Sequence, residues 1–281
     1  MAQQRYDVVI IGGGPAGLAA ATVLGRANRG VALVDAGNQS NAGSSAVHAV
    51  FTRDGTAPAE MYDIAREQLR RYACVTQIQG CAAAAYSSDG DYEVTLEDET
   101  QLSAPYLLLA QGVKFNYPPI PGIAELWGKL VWHCPYCHGF EANGRRLLAV
   151  GDEIWLNGMH RLLPIWTRNI TWAPTPEVTQ LRQIEDGLAA VICGSEEFFH
   201  QCVVQTTVVA RDGLADALGC ARNEKGQVQI DGNGRTSVKR IFAAGDQTPA
   251  GGQVNVAVGA GHAAGVAIIE EMAAAETGQT G

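Results

Sequence analysis

Tyr6-Asp7-Val8-Val9-Ile10-Ile11-Gly12-Gly13-Gly14-Pro15-Ala16-Gly17-Leu18-Ala19-Ala20-Ala21 is the stretch that decides the fold. An apolar run breaks into glycines and then into alanine-rich helical sequence, which is the order strand, tight turn, helix. In a dinucleotide fingerprint each glycine has its own task. Gly12 permits the turn, Gly14 lets the backbone approach a pyrophosphate, and Gly17 lets the helix lie close to the strand. Pro15 and Ala16 complete the phosphate-binding turn, and the helix N-terminus supplies positive potential. A second apolar run, Val31-Ala32-Leu33-Val34-Asp35, ends in the acid expected to hold a ribose hydroxyl. A lone glycine triplet is a weak signal, but here triplet, strand, helix and Asp35 agree.

Composition bounds the rest. With 281 residues, 47% of them apolar and 17% charged, the chain is globular and long enough for two modest domains. A formal net charge of -9 argues against nucleic acid or an anionic membrane surface as partner, since both ask for a basic face. The opening residues show no secretory pattern and no apolar run reads as a membrane span, so a cytoplasmic location is expected. The seven cysteines do not form a disulfide framework. Cys74, Cys81, Cys193, Cys202 and Cys220 are expected to be small buried apolar residues.

Cys134 and Cys137 are different. In His133-Cys134-Pro135-Tyr136-Cys137-His138 the two sulfurs have the spacing of a ring that forms and breaks while carrying two electrons. The letters Cys-x-x-Cys-His also match a haem c attachment site, but that requires export and a haem pocket. The two cysteines and two histidines would clasp zinc only as a cramped tetrahedron within six consecutive residues, so no metal site is expected. Glutaredoxins share Cys-Pro-Tyr-Cys but have no dinucleotide fingerprint. Because the thiolate is the nucleophile, His133 and His138 are apt neighbours, as cationic or hydrogen-bonding groups that lower a thiol pKa.

Near the carboxyl end, Ile241-Phe242-Ala243-Ala244-Gly245-Asp246 and then Gly251-Gly252-Gln253-Val254-Asn255-Val256 read as strand, loop ending in a carboxylate, and helix. With Leu107-Leu108-Leu109-Ala110-Gln111-Gly112 between the ends, the chain resembles the two-dinucleotide-fold flavoproteins. Gln111 stands where that family has threonine. The resemblance implies FAD, one per chain, held by Gly12, Gly14, Pro15, Ala16, Gly17, Asp35, Ala110, Gly112, Gly245, Asp246, Gln253 and Val254. It places Asp246 on the ribityl chain and the helix after Gln253-Val254 towards the flavin ring. A bland alternative makes Asp246 a helix cap.

Pro118-Pro119-Ile120-Pro121-Gly122 is a stiff crossing, and the order flavin half, insert, flavin half is that of the low-molecular-weight thioredoxin reductases. The fold implied is α/β, with two Rossmann-like domains, the second inserted in the first and degenerate. The FAD domain is expected over 1–112 plus 238–281, and a shortened insert bearing the cysteines over 113–237. Cys137-His138-Gly139-Phe140-Glu141 narrows the likeness to the branch that includes the gliotoxin and holomycin dithiol oxidases, and the stretch from Phe51-Thr52-Arg53-Asp54-Gly55 to Glu60 is similar to a segment common in bacterial members. By that resemblance Cys137 faces the flavin as thiolate, Cys134 exchanges with substrate sulfur, and His138 moves the proton. The resemblance also implies a homodimer acting on a small dithiol or disulfide or on a thioredoxin-like protein.

One part of the family pattern is missing. After Leu147-Leu148-Ala149-Val150, a nicotinamide site needs a glycine-rich turn, and the chain has Gly151-Asp152-Glu153-Ile154-Trp155-Leu156 instead. Glu153 and Leu156 stand where the second and third small residues belong, and Glu153 adds charge repulsion. NAD(P)H is therefore not expected in the usual mode. Several electron routes stay open. Dithiols can reduce the pair and oxygen reoxidise the flavin, or a ferredoxin-like donor can dock at Arg145-Arg146 or at Arg161 with Arg168. A second flavin can stack among Trp155, Trp166, Trp172 and Phe198-Phe199, although core packing explains these rings as well. A non-catalytic flavin-binding sensor is the remaining alternative.

Overall fold

A computed structural model describes residues 4–211, 213–249 and 251–278. The chain folds into two compact units, the first made of Met1–Ser40, Glu60–Lys114 and Val209–Gly281, the second of Asn41–Ala59 and Phe115–Val208.

In the first unit a five-stranded sheet runs in the spatial order Ile241–Ala243, Tyr106–Leu109, Val8–Ile11, Val31–Asp35, Val75–Gln79, every neighbour pair parallel. Its central strands are apolar without alternation because both faces are covered. Val8, Ile10, Leu33 and Leu108 face the helices Pro15–Arg26 and Val254–Thr277. Val9, Ile11, Val34, Leu107 and Leu109 face a second sheet through Val94, Leu96 and Leu102. That sheet orders Gln4–Arg5, Gln101–Ala104, Asp91–Leu96 and Ala82–Ser88.

The helix Val254–Thr277 is long and apolar enough to cross a membrane, which the sequence reading did not anticipate. In the fold one side of it lies on the fingerprint helix. A Cβ on Gly261 would sit 2.0 Å from the Ala16 carbonyl oxygen, and one on Gly265 2.3 Å from the Val23 side chain. Small residues thus bring the two backbones together, and apolar composition serves a helix pair inside the unit.

The second unit holds a four-stranded parallel sheet, ordered Val131–Trp132, Gln201–Val204, Leu147–Gly151, Ile170–Pro174. Beside it Val178–Ile184, Gly187–Ile192 and Ser195–Phe199 form an antiparallel sheet. Leu148, Val150, Leu181, Leu188, Phe199 and Cys202 share one core.

The second unit begins at Phe115 rather than at 113, and its boundaries differ from 113–237 in two larger places. Residues 209–237 pack in the first unit, where Leu214, Ala215, Cys220 and Val228 join the core with Ile241 and Leu107. The expected bounds gave them to the insert because the carboxyl-terminal flavin motif begins only at Ile241, whereas their burial is in the first unit. Asn41–Ala59 belongs to the second unit, where Gly128 leaves no room for a Cβ against the Gly43 backbone. The cysteines also divide differently from expectation. Cys202 and Cys220 are buried, but Cys74 is only half-buried, and Cys81 and Cys193 are exposed. Both exposed residues lie in connections, Cys193 at φ 49° in a hairpin turn, where no core is within reach.

Candidate functional site

In the first unit, parallel strands in that order bring four strand ends to one edge. Gly12 follows Val8–Ile11, Asp35 closes Val31–Asp35, Ala110 follows Tyr106–Leu109, and Gly245-Asp246 follow Ile241–Ala243. A crevice outside the carboxyl ends of such strands is where ligands bind in open α/β sheets. Gly12 turns at φ +116°, and a Cβ there would sit 2.2 Å from the Ala110 carbonyl oxygen. Gly17 is packed as tightly, 1.8 Å from the Gly12 carbonyl oxygen. Gly14 has open space at its α-carbon and caps the helix without a side-chain hydrogen bond. Pro15 starts that helix and Ala16 is buried in its first turn. The turn is thus a glycine-lined cradle at a positive helix end without a side-chain cap, which fits a dinucleotide pyrophosphate.

Asp35 stands beside this turn. Its carboxylate accepts from Gly37 N–H at 2.9 Å, from Gln39 Nε2 at 3.1 Å and from Arg66 Nη2 at 3.0 Å. A Cβ on Gly13 would meet it at 2.2 Å, so Gly13 is needed here as well, a role the fingerprint spacing does not announce. Gly245 and Gly112 both take positive φ, 81° and 68°. Asp246 Oδ1 accepts from Gly252 N–H at 2.8 Å, folding the loop back on itself before Gln253 caps the helix that begins at Val254.

The second unit carries the sulfur chemistry. Cys134 and Cys137 form a disulfide, with Cα atoms 5.3 Å apart. Cys134 caps the single turn Pro135–His138, and its carbonyl accepts from the N–H groups of Cys137 and His138. Tyr136 and Phe140, 62% and 78% exposed, flank the pair with apolar surface. Gly139 is pressed against the Trp166 ring, which meets Tyr136 edge-on.

His133 lies between Phe115, at 4.3 Å, and Trp127, stacked at 5.5 Å. Burial, with a smaller push from His138, lowers its pKa to about 4. At neutral pH it carries no charge, so of the cationic or hydrogen-bonding neighbour expected of it only the second role is left. His138 stacks on buried Trp132, whose Nε1 donates to Gln201 at 3.0 Å. Burial, and then His48, lower its pKa, while the Glu141 charge opposes that. A neutral imidazole beside a disulfide can accept a thiol proton. His48 reaches this cluster from Asn41–Ala59, 6.3 Å from His138 between ring centroids. It lies so far along the chain from the cysteines that spacing alone hides it, although it falls just before the Phe51–Gly55 stretch.

Where a nicotinamide turn would lie, the helix Glu153–Leu162 is closed by its own side chains. Asp152 caps it, Oδ1 accepting from Trp155 N–H at 2.8 Å, and is held by Gln205 through a pair of hydrogen bonds of 2.7 and 2.8 Å. Trp155 covers Gly151, and His160 stacks on Trp172 at 3.8 Å. Phe199 is a core residue and Phe198 packs on His200. Arg146 is paired with Glu197. Among the described residues no His, Cys, Asp or Glu cluster could hold a metal.

The model of the pyridine nucleotide-disulphide oxidoreductases matches residues 6–152 and 166–267. The chain belongs to that family. Thioredoxin reductase tcpT of Claviceps purpurea is 34% identical over 97% of this chain and 96% of its own length. Thioredoxin reductase sirT of Leptosphaeria maculans is 31% identical, covering 92% of each. The solved oxidoreductase of Agrobacterium tumefaciens superposes with a TM-score of 0.86 at 31% identity, over 96% of this chain and 99% of its own. This pyridine nucleotide-disulphide oxidoreductase is an FAD-binding enzyme of the thioredoxin reductase-like group, with the two-domain Rossmann fold and flavin-linked disulfide chemistry of that group.

Proposed function

We propose that this flavoprotein oxidises dithiols without a nicotinamide dinucleotide. A substrate dithiol passes two electrons to the Cys134–Cys137 disulfide, the reduced pair passes them to FAD, and dioxygen is the final acceptor. The substrate leaves as a disulfide, and its two electrons and two protons leave as hydrogen peroxide. FAD supplies the two-electron relay between sulfur and oxygen. The observation that carries the reading is the contrast between two helix N-termini. The one after Gly14 is free of side-chain caps, whereas the one after Gly151 is filled by Asp152. A carboxylate there takes the hydrogen bonds a pyrophosphate would need and, with Glu153 next to it, repels the phosphate charge.

Roles follow for the named residues. Gly12, Gly14, Pro15, Ala16 and Gly17 hold the FAD pyrophosphate, and Asp35 holds a ribose hydroxyl. Ala110, Gly112, Gly245, Asp246, Gln253 and Val254 hold the flavin end. Cys134 meets substrate sulfur, Cys137 faces FAD, and His138, kept neutral by burial, receives the thiol proton. The exposed rings of Tyr136 and Phe140 offer the substrate apolar contact. By likeness to the thioredoxin reductases the enzyme works as a cytoplasmic homodimer.

Anaerobic mixing tests the reading. Dithiothreitol is expected to bleach the bound flavin and NADPH to leave it oxidised, with Cys137→Ser abolishing the thiol-driven bleaching. Rapid bleaching by NADPH overturns it.

A further inference from the structure

Two buried polar atoms lie unused beside the disulfide. His138 Nδ1 and Glu141 Oε2 are both enclosed, and neither has a hydrogen-bond partner among the described residues. A buried polar atom left unpaired is costly, and Glu141 acts on His138 through its charge although the two make no hydrogen bond here, so the pair is suited to a bond made only when the ring is protonated. The other Glu141 oxygen, Oε1, is 3.5 Å from His48 Nε2, and His48 Nδ1 is 3.8 Å from Asp54 Oδ1. His48 is fixed by a closed loop, in which Val47 and Thr56 pair and Ala49 N–H donates to Asp54 at 2.7 Å. Asp54 is largely exposed.

We propose that Glu141 and His48 are positioning residues for His138: Glu141 accepts the Nδ1–H of His138 once that ring is protonated, and His48 holds Glu141 by its other oxygen. The inference rests on His138 being the base of the proposed dithiol oxidation. In that step the substrate thiol gives its proton to His138, and the thiolate attacks Cys134 Sγ. The Cys134–Cys137 bond breaks, its electron pair leaves on Cys137, and a mixed disulfide remains on Cys134. The second substrate thiol, losing its proton in turn, attacks the substrate sulfur of that bond and releases Cys134. Each proton taken up by His138 is stabilised by Glu141, and His48 with Asp54 leads from Glu141 to solvent. A carboxylate on the far nitrogen of a catalytic histidine orients the ring and stabilises its imidazolium.

The charged and titratable groups facing His138 are Glu141, His48 and His133, with Asp54 facing His48 and the uncharged Trp132 on the ring face. The rate of thiol-driven flavin reduction needs neutral His138, so it falls as pH drops through the His138 pKa. Glu141 raises that pKa and His48 lowers it. In the FAD-loaded enzyme, with dithiothreitol as anaerobic reductant, Glu141→Gln is expected to slow the plateau rate about tenfold, part of what a general base contributes. It should also move the acid limb to lower pH, whereas His48→Gln moves that limb to higher pH. A merely structural role would not displace the two limbs in opposite directions. Limbs that coincide with wild type, or move together, overturn the inference. Should either variant lose FAD, the ring NMR titration of the wild-type holoenzyme decides instead. His138 is expected to titrate with more than one inflection, and a single independent curve overturns the coupling. Failure of the underlying reading looks different: wild-type flavin would not be reduced by dithiothreitol at all, or would be reduced equally well in Cys134→Ser.

Discussion

His133, held between Phe115 and Trp127, keeps its ring neutral down to a pH of about 4. An unfolded chain protonates the same ring near its ordinary value, so the unfolded state binds more protons between these limits. This contribution to stability is whole at neutral pH and is lost as pH falls from about 6.5 to about 4, at most about 3 kcal/mol in all. His133→Phe keeps an aromatic ring in the stack and removes the titration. Its urea midpoint is expected to change less between pH 7 and pH 4.5 than that of the wild type. Gly12 is the second residue with a sharp consequence. At φ +116° and with the Ala110 carbonyl against it, Gly12→Ala strains the backbone and displaces the turn. The variant is expected to be purified without FAD, as its absorbance spectrum will report. Spacing made Gly12, Gly14, Gly17, Cys134 and Cys137 legible, because local geometry or local chemistry demands those types at those separations. It left His48 and Gly13 unread, since each matters through a partner distant in sequence.

At the scale of elements, one kind of helix start serves two ends. The helix Pro15–Arg26 opens on bare backbone, whereas Glu153–Leu162 opens on an Asp152 carboxylate locked by Gln205. The Trp155 N–H and Gln205 bonds also hold the Asp152 pKa below the usual carboxylate range. Loss of an N-cap acid costs about 1 kcal/mol, so Asp152→Ala is expected to lower the urea unfolding free energy by about that much. Substitutions between the long helices will cost more. Gly261→Val puts a branched side chain into the Ala16 backbone of the fingerprint helix, and such overpacking costs about 1–3 kcal/mol or more. The same change moves the phosphate-binding turn, so a lowered FAD content per chain is expected alongside the lowered melting temperature. Both helices are visible in the sequence as apolar or alanine-rich runs. The close approach at Gly261 and Gly265 is not, because nothing in a run of small residues says which face meets a neighbour.

For the whole molecule, FAD binding couples to folding. A ligand bound only by the folded state stabilises it by RT ln(1 + [L]/Kd), about 2.7 kcal/mol at a hundredfold excess over Kd. Added FAD is therefore expected to raise the melting temperature of FAD-depleted protein, and added NADPH to leave it unchanged. One flavin per chain is expected, since Trp155, Trp172, Phe198 and Phe199 are already taken up in packing. A ratio of two would place a second flavin in the insert. By itself the sequence determined the α/β class, the FAD fingerprint, the redox pair and the interruption of the second fingerprint at Glu153, all short-range patterns dictated by backbone geometry and thiol chemistry. Only the tertiary structure decided which unit takes Asn41–Ala59 and residues 209–237, that His133 is neutral, that Asp152 fills its own helix end, and that His48 and Glu141 surround His138. Burial and contact between distant segments set those properties, and neither is written in the spacing of neighbouring residues.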